Sequence, residues 1–511
     1  MEHRENRTIY LLMKSIVVGL VVGMVVIAYR WALTYAEEIA LEGYAFFIHH
    51  TAGIPLLFMG LGAMGYFVGW LVSKNRMISG SGIPQLKGIL MGYCKHSWFS
   101  TLWKKFLGGT VAILGGLSLG REGPSIQLGA AVGEGIGKKY GESRLERKIL
   151  MVSGASAGLA SAFNAPLAGV LFALEEIFKY FSPVILLSTM SAAVVADFIS
   201  KQVFGLRPIF DFNVSAAISL EDYWILIILG IVLGLMGALY NRILLKTQGL
   251  YKRINQLDIK IKMIFPFMIA GILGLTYPLV LGGGHSIIEA LSIEQGIAFL
   301  IVLWLIKFAF SMISFGSGAP GGIFFPLLVL GGTIGAIFAK CAIGYLGYEE
   351  VLFYNFVILA MAGYFTAIVR APITGVVLII EMTGSFSHLL SLTVVSLIAY
   401  VTADLMKSPP IYEALLENLI HDQEDEVGKQ NHSLKTIIET VIQYGSSLEE
   451  KQIKEVNWPN KCLVVGIKRG EKEILPKGNT VMKAGDYLVV LTDKNAEAHT
   501  REALDILVTA R

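Results

Sequence analysis

Apolar residues fall along this chain in long blocks, not in the alternating or one-face spacing of a soluble core. Residues 10–32, 54–71, 224–240, 263–281, 297–315, 353–368 and 389–401 are almost uninterrupted. A helix needs about 20 apolar residues to cross a hydrocarbon core, and these blocks reach or approach that length. The pattern predicts an all-α polytopic membrane protein. After Pro410 the pattern changes. Residues 418–434 include the run His421-Asp422-Gln423-Glu424-Asp425-Glu426 and read as a linker that ends a membrane part over 1–417. Beyond it, 461–468, 473–475 and 487–492 read as short strands between Arg469-Gly470, Lys477-Gly478 and Ala484-Gly485-Asp486 turns. They predict a small α+β soluble domain over 435–511.

Sliding the chain along itself reveals a repeat. Ala165, Pro166, Gly169, Val170 and Glu175 match Ala371, Pro372, Gly375, Val376 and Glu381 at an offset of 206. Gly120, Pro124, Gly129 and Gly133 match Gly322, Pro326, Gly331 and Gly335 at 202. Two close offsets in one order predict a duplicated half of about 200 residues, roughly 10–205 and 220–405. Paired Gly/Pro interruptions in two halves of a membrane protein point to a midplane binding site made of broken helices.

Composition agrees with a membrane protein. Apolar residues make up 54% and charged residues 16%, against roughly 25% charged in soluble domains, which excludes a soluble helical enzyme. Many of the 55 glycines lie inside apolar blocks, where small residues let helices pack closely and backbone open onto a cavity, so tilted and broken helices are expected. Residues 1–7 precede apolar sequence with no small-residue cleavage pattern, so the first span is expected to stay attached. Basic residues mark cytoplasmic loops. Arg242, Lys246, Lys252, Arg253, Lys260 and Lys262 in one stretch, and Lys138, Lys139, Arg144, Arg147 and Lys148 in another, are expected inside, whereas 34–53 (Glu37, Glu38, Glu42) and 206–223 (Asp211, Glu221, Asp222) are expected outside. Both termini are then cytoplasmic, in what reads as a prokaryotic cell membrane. A net charge of +3 gives no case for nucleic acid. Cys94, Cys341 and Cys462 form no disulfide or metal pattern, and His49, His50 and His421 lack ligand spacing, so no metal, cofactor or enzymatic chemistry is expected.

Three Gly/Pro segments carry the chemistry: Gly80-Ser81-Gly82-Ile83-Pro84, Gly120-Arg121-Glu122-Gly123-Pro124 and Gly322-Ile323-Phe324-Phe325-Pro326. Each precedes an apolar helical stretch. A first-turn proline behind glycines leaves backbone N–H groups aimed off a helix N-terminus, where an anion is held by amides and partial charge and still released. Ser81 adds a hydroxyl donor. Glu122 puts a carboxylate at such a break, a costly placement that points to function. Glu175 and Glu176 follow the apolar run 167–174, where charged residues ordinarily mark a solvated helix end at the inner surface.

These segments, with Ser408-Pro409-Pro410-Ile411-Tyr412, resemble the signature stretches of the CLC family of chloride channels and chloride/proton antiporters, in the family's order from about Ile9 to Leu416. The resemblance implies two inverted helical halves and a homodimer with one anion path per subunit. It implies that chloride is held by the Ser81 and Tyr412 hydroxyls and the Ile323 and Phe324 amides, framed by the Arg121 and Gly123 backbone. It makes Glu122 the gate shared by both ions and Glu176 the inner proton-transfer residue, while the repeat makes Glu175 and Glu381 a structural pair. Lys105 is either the family's buried lysine or a snorkelling surface residue. The tail from about Lys435 resembles the TrkA-C ligand-sensing domain of potassium-uptake regulators, through Gly445-Ser446-Ser447-Leu448, Ile467-Lys468-Arg469-Gly470 and Ala484-Gly485-Asp486. It would bind a small cytoplasmic ligand or brace a dimer. Glutamate at both 122 and 176 favours chloride/proton antiport. A passive voltage- or pH-gated chloride channel is the alternative, since one fold hosts both. A fluoride/proton antiporter, or a membrane-bound ligand sensor, agrees less with Ser81 and Tyr412.

Overall fold

A computed structural model describes residues 2–179, 181–206, 208–210, 212, 218–253, 257–427, 435–460, 462–470, 472–493 and 496–509. The chain divides into two compact units, Met1–Ile420 and His421–Arg511. Asp211, Lys461 and the last part of the expected linker, 428–434, lie outside the described residues.

The first unit is helical. Its first half holds α1 (Glu2–His49), α2 (Ile54–Lys74), α3 (Ile83–Met91), α4 (Trp98–Leu114), α5 (Glu122–Lys139), α6 (Arg144–Phe163), α7 (Pro166–Phe172) and α8 (Pro183–Phe204). The second holds α9 (Tyr223–Arg253), α10 (Ile259–Lys262), α11 (Ile264–Thr276), α12 (His285–Ala290), α13 (Ile297–Gly316), α14 (Phe324–Leu346), α15 (Phe353–Val369), α16 (Pro372–Thr383), α17 (Leu389–Leu405) and α18 (Ile411–Val427). Among the described residues eight helical segments are long and apolar enough to cross a membrane. The predicted blocks lie in α1, α2, α9, α11, α13, α15 and α17. Three boundaries differ from the expectation. The acidic stretch after residue 34 continues α1 to His49, because glutamates and one glycine do not stop a helix that no proline interrupts. Block 263–281 ends as a helix at Thr276, where Pro278 starts a separate 3₁₀ turn. The acidic run 421–426 extends α18, since neither Gly nor Pro occurs between Ile411 and Val427.

The repeat governs the layout. An offset of 202 carries the first residue of α3 and α5 onto that of α12 and α14, and 206 carries the first residue of α7 and α8 onto that of α16 and α17. Gly120 and Gly322, themselves 202 apart, pair antiparallel through reciprocal N–H···O bonds of 2.7 Å. Equivalent residues pairing antiparallel are related by a two-fold axis, so the halves run in opposite directions. The Gly80 amide donates to Gly318 O at 3.1 Å, and its equivalent, Gly282, donates to Gly116 O at 3.3 Å.

The repeated glycines let helices touch. A Cβ on Gly133 of α5 would come within 2.7 Å of the Leu150 carbonyl carbon on α6, and one on Gly335 of α14 within 2.7 Å of Val357 Cα on α15. This is the small-residue contact expected where apolar burial alone does not drive helices together. The carboxylates repeat too. Glu381 accepts from the Leu167 and Ala168 amides (3.1 and 2.7 Å) at the start of α7, and Glu175 accepts from the Ile373 and Thr374 amides (3.2 and 2.8 Å) and the Thr374 hydroxyl at the start of α16. Each half thus satisfies the orphan donors of a helix in the other.

The second unit is a four-stranded antiparallel sheet of order β1-β4-β2-β3, with β1 (Lys435–Val441), β2 (Cys462–Arg469), β3 (Lys472–Ile474) and β4 (Tyr487–Asp493), covered by α19 (Glu497–Val508). The sequence reading found β2 to β4 and missed β1 and α19. Ile438, Ile467, Leu488, Val490 and Leu504 form its core. Arg469 clamps Asp486 through two bonds of 2.8 and 2.7 Å, with the Lys483 amide donating to the same carboxylate at 2.9 Å. Burial raises the Asp486 pKa, but these donors outweigh it and hold the carboxyl below its ordinary value.

Removing Glu175 or Glu381 orphans two helix-start amides in either case. Glu175→Ala and Glu381→Ala are each expected to cost about 2–3 kcal/mol, Glu175→Ala the more because a hydroxyl bond goes too. Thermal unfolding of the detergent-solubilised protein checks this: two comparable losses are expected, and an unchanged melting point for either variant contradicts the reciprocal cap.

Candidate functional site

The three Gly/Pro segments converge at the dyad. Gly82 sits at φ 94°, a left-handed conformation that glycine adopts freely, and turns the chain into α3. In α3 the first helical bond runs from Leu86 N to Gly82 O (2.9 Å), in α5 from Ser125 N to Arg121 O (3.0 Å) and in α14 from Leu327 N to Ile323 O (2.9 Å). The amides before these have no acceptor within their helices, and Pro84, Pro124 and Pro326 have no N–H to satisfy. The helix starts touch through backbone. A Cβ on Gly123 would come within 2.8 Å of Ser81 O, and one on Gly322 within 3.0 Å of Gly123 N. Gly321 N donates to Gly80 O at 3.0 Å and Ser79 Oγ to Gly318 O at 2.9 Å, which ties the loop before α3 to the loop before α14.

The predicted residues lie around this point, all buried: Ser81 (1% exposed), Glu122 (0%), Ile323 (2%), Phe324 (0%) and Tyr412 (0%). The Tyr412 hydroxyl is directed toward Ser81, and neither Ser81 Oγ nor Tyr412 Oη closes a hydrogen bond. Both oxygens of the Glu122 carboxylate are buried without a hydrogen bond as well, lying toward the Phe325 amide, with Arg121 Nε 3.9 Å away. Buried polar atoms normally find partners, so four orphaned oxygens in one place identify a spot built for something other than packing. Aromatic rings close it in: Phe324 packs against Phe365 (centroids 4.6 Å) and Phe163 (5.2 Å), and Phe172 lies edge-on to Tyr412 (6.3 Å).

Glu176 is not a solvated helix end. It lies in a π-helical turn that follows α7, is 3% exposed, and accepts from Lys87 Nζ at 2.8 Å. Its neighbour Glu175 is engaged across the dyad. Lys105 does not snorkel: it is fully buried and donates to Ile78 O (2.9 Å) and Gly80 O (2.5 Å), so its amino group orients the Gly80–Ser81 turn from behind.

Sequence reasoning missed Lys307 and Lys87, both buried. Lys307, 202 residues after Lys105, donates to Val280 O (2.9 Å) and Gly282 O (2.8 Å), the equivalents of Ile78 and Gly80. The repeat offset was the signal that would have found it. Lys87 had a weaker signal, a cation within the first apolar turns after Pro84. Among the described residues no group of three or more His, Cys, Asp or Glu side chains is placed to hold a metal ion.

The sequence and fold have relatives. Residues 64–404 match the family described as voltage gated chloride channel, and residues 437–505 match the TrkA-C domain. The H(+)/Cl(-) exchange transporter ClcA of Citrobacter koseri is 32% identical over 435 residues, covering 83% of this chain and 91% of that protein. ClcA of Salmonella typhimurium is 31% identical, covering 84% and 93%. The crystal structure of a slow cyanobacterial Cl−/H+ antiporter superposes with a TM-score of 0.76 at 31% identity, over 81% of this chain and 98% of that one. A CLC-type fluoride/proton antiporter shares the fold, with a TM-score of 0.65 at 24% identity over 79% of this chain and 97% of that one. Spans, dyad and coverage agree: this multi-pass integral membrane protein belongs to the voltage gated chloride channel family, CLC, and carries a TrkA-C domain at its C-terminal end.

Proposed function

We propose that the protein exchanges chloride for protons across the membrane, with Glu122 as the group both ions share. The observation that carries this reading is the fully buried Glu122 carboxylate, without a hydrogen bond, at the converging starts of α3, α5 and α14. A carboxylate there competes with an anion for the same amides and partial charge while it is ionised. Once protonated it has no charge for those amides to hold, and it yields the position. Chloride then passes between the Ser81 and Tyr412 hydroxyls and the Ile323 and Phe324 amides, donors that carry no full charge and so release it. The backbone of Arg121 and Gly123 frames the outer approach, and Lys105 raises the potential at the turn without touching the ion.

Glu176 is the inner proton acceptor in this reading, and its buried position favours exchange over passive conduction, which has no use for a second carboxylate away from the anion path. The relatives named as H+/Cl− exchangers support the same choice. The basic loops at 138–148 and 242–262 support a cytoplasmic side for both termini. The Lys14–Glu142 ion pair puts the early part of α1 beside the first of these loops. The subunit pairs as a homodimer, each copy with its own path, and residues 435–511 form a TrkA-C-like regulatory domain that answers to a small cytoplasmic ligand.

In proteoliposomes followed with chloride and pH electrodes, Glu122→Gln, which imitates the protonated gate, is expected to keep chloride flux but lose its pH dependence and all proton movement. Glu176→Gln is expected to lose proton movement while chloride flux still responds to external pH through Glu122. Intact coupling in the first variant removes Glu122 from the shared position, and intact coupling in the second removes Glu176 from the proton path.

All the proposed ion contacts precede residue 417, and a sensing domain acts only through differential affinity for two transporter states. Truncation after Glu417 is therefore expected to leave exchange and selectivity within about twofold of the full chain. Loss of transport by a truncated protein that still elutes as a folded dimer makes the tail part of the transport unit.

A further inference from the structure

Glu176 has a partner that this reading leaves unused. Lys87 and Glu176 form a buried ion pair at 2.8 Å, 1% and 3% exposed. Lys87 stands on α3, the nine-residue helix whose first turn follows Gly80-Ser81-Gly82. From Ile83 to Lys87 is about one helical turn, roughly 6 Å of rise. One short helix thus holds the proposed anion hydroxyl at its start and the counter-ion of the proposed proton acceptor a turn later. The other charged groups near Glu176 have partners elsewhere. Glu175 is bonded to the start of α16, Lys179 pairs with Glu413 of α18, and Tyr412, also on α18, presents an uncharged phenol.

When Glu176 takes a proton, Lys87 is left as a buried ammonium without a counter-ion, an arrangement that is strongly unfavourable. A negative charge can balance it at the anion position at the start of its own helix, about one turn away. We propose that Lys87 is the coupling residue of the exchanger, counter-ion to Glu176 while that carboxylate is charged and to the anion at Ser81 and Tyr412 once it is protonated. The proposal rests on the exchange reading for the identity of the two ions. A unit charge about 10 Å away at an effective dielectric of about 20 changes anion affinity by roughly tenfold. By reciprocity, bound chloride strengthens proton binding at Glu176 by the same factor.

The test is calorimetric titration of chloride into the purified full-length protein, with Glu122→Gln throughout so that Glu122 does not titrate. E122Q is expected to bind chloride roughly tenfold more tightly at low pH than at high pH, with proton uptake seen as buffer-dependent heat. E122Q/E176Q is expected to bind tightly at every pH. E122Q/E176Q/K87M, which removes both members of the buried pair and so leaves no unpaired charge to unfold the protein, is expected to bind roughly tenfold more weakly, again at every pH, while K87R in its place keeps the tight binding. Equal affinity with and without the lysine in the E176Q background overturns the role of Lys87 and leaves Glu176 standing. A pH dependence that survives in E122Q/E176Q overturns the assignment of Glu176, the reading beneath the proposal.

Discussion

The reciprocal 2.7 Å bonds between Gly120 and Gly322 fix the point around which the membrane unit is organised. They pin the two equivalent loops back to back, and the helices that follow must begin there, amide ends together. In hydrocarbon every backbone donor has to be satisfied within the protein, so helix starts gathered at one place leave a concentration of unfilled donors. Such a place favours a negative charge of either kind, a free anion or the Glu122 carboxylate. The proposed competition between them needs no moving domain, only a side chain that gains or loses a proton.

The dyad duplicates structural devices and leaves chemical ones single. Lys105 and Lys307 each hold the carbonyls 27 and 25 residues earlier, and Glu175 and Glu381 each cap the other half's helix. At the positions equivalent to Ser81, Lys87, Glu122 and Glu176, however, stand Gly283, Glu289, Phe324 and Met382. Symmetry builds the converging helix ends, and the departures from it fall at the residues proposed to handle the ions. The proposed proton groups and their lysine all fall in the first half, while the second contributes amides, aromatic rings and the Tyr412 hydroxyl.

Much of this was legible in the sequence because the membrane makes strict demands on it. A block of apolar residues has one stable outcome in lipid, and a Gly/Pro break inside such a block is too costly to be incidental, so the spans, the repeat and the breaks that carry Ser81 and Glu122 could be read directly, whereas Ile323, Phe324 and Tyr412 were singled out only by the family resemblance. Helix ends were less legible: the start of 34–53 looked like a loop because acidic residues mark polarity, not termination, and α1 runs on to His49. Pairings between distant residues left no local mark. Lys87 and Glu176 are 89 positions apart, and only the fold shows that they touch. In the tail, β1 escaped because its alternation is blurred by Thr436, Glu439 and Thr440, and it becomes a strand through pairing with β4.

The central claim is that one site serves chloride and protons in opposition. Its most direct test is proton movement driven by chloride alone, in proteoliposomes loaded with chloride, diluted into low-chloride medium at equal pH and given a potassium conductance to dissipate voltage. The account predicts that protons enter as chloride leaves, alkalinising the medium and building a gradient that a proton ionophore collapses. Chloride efflux with no movement of protons would contradict it.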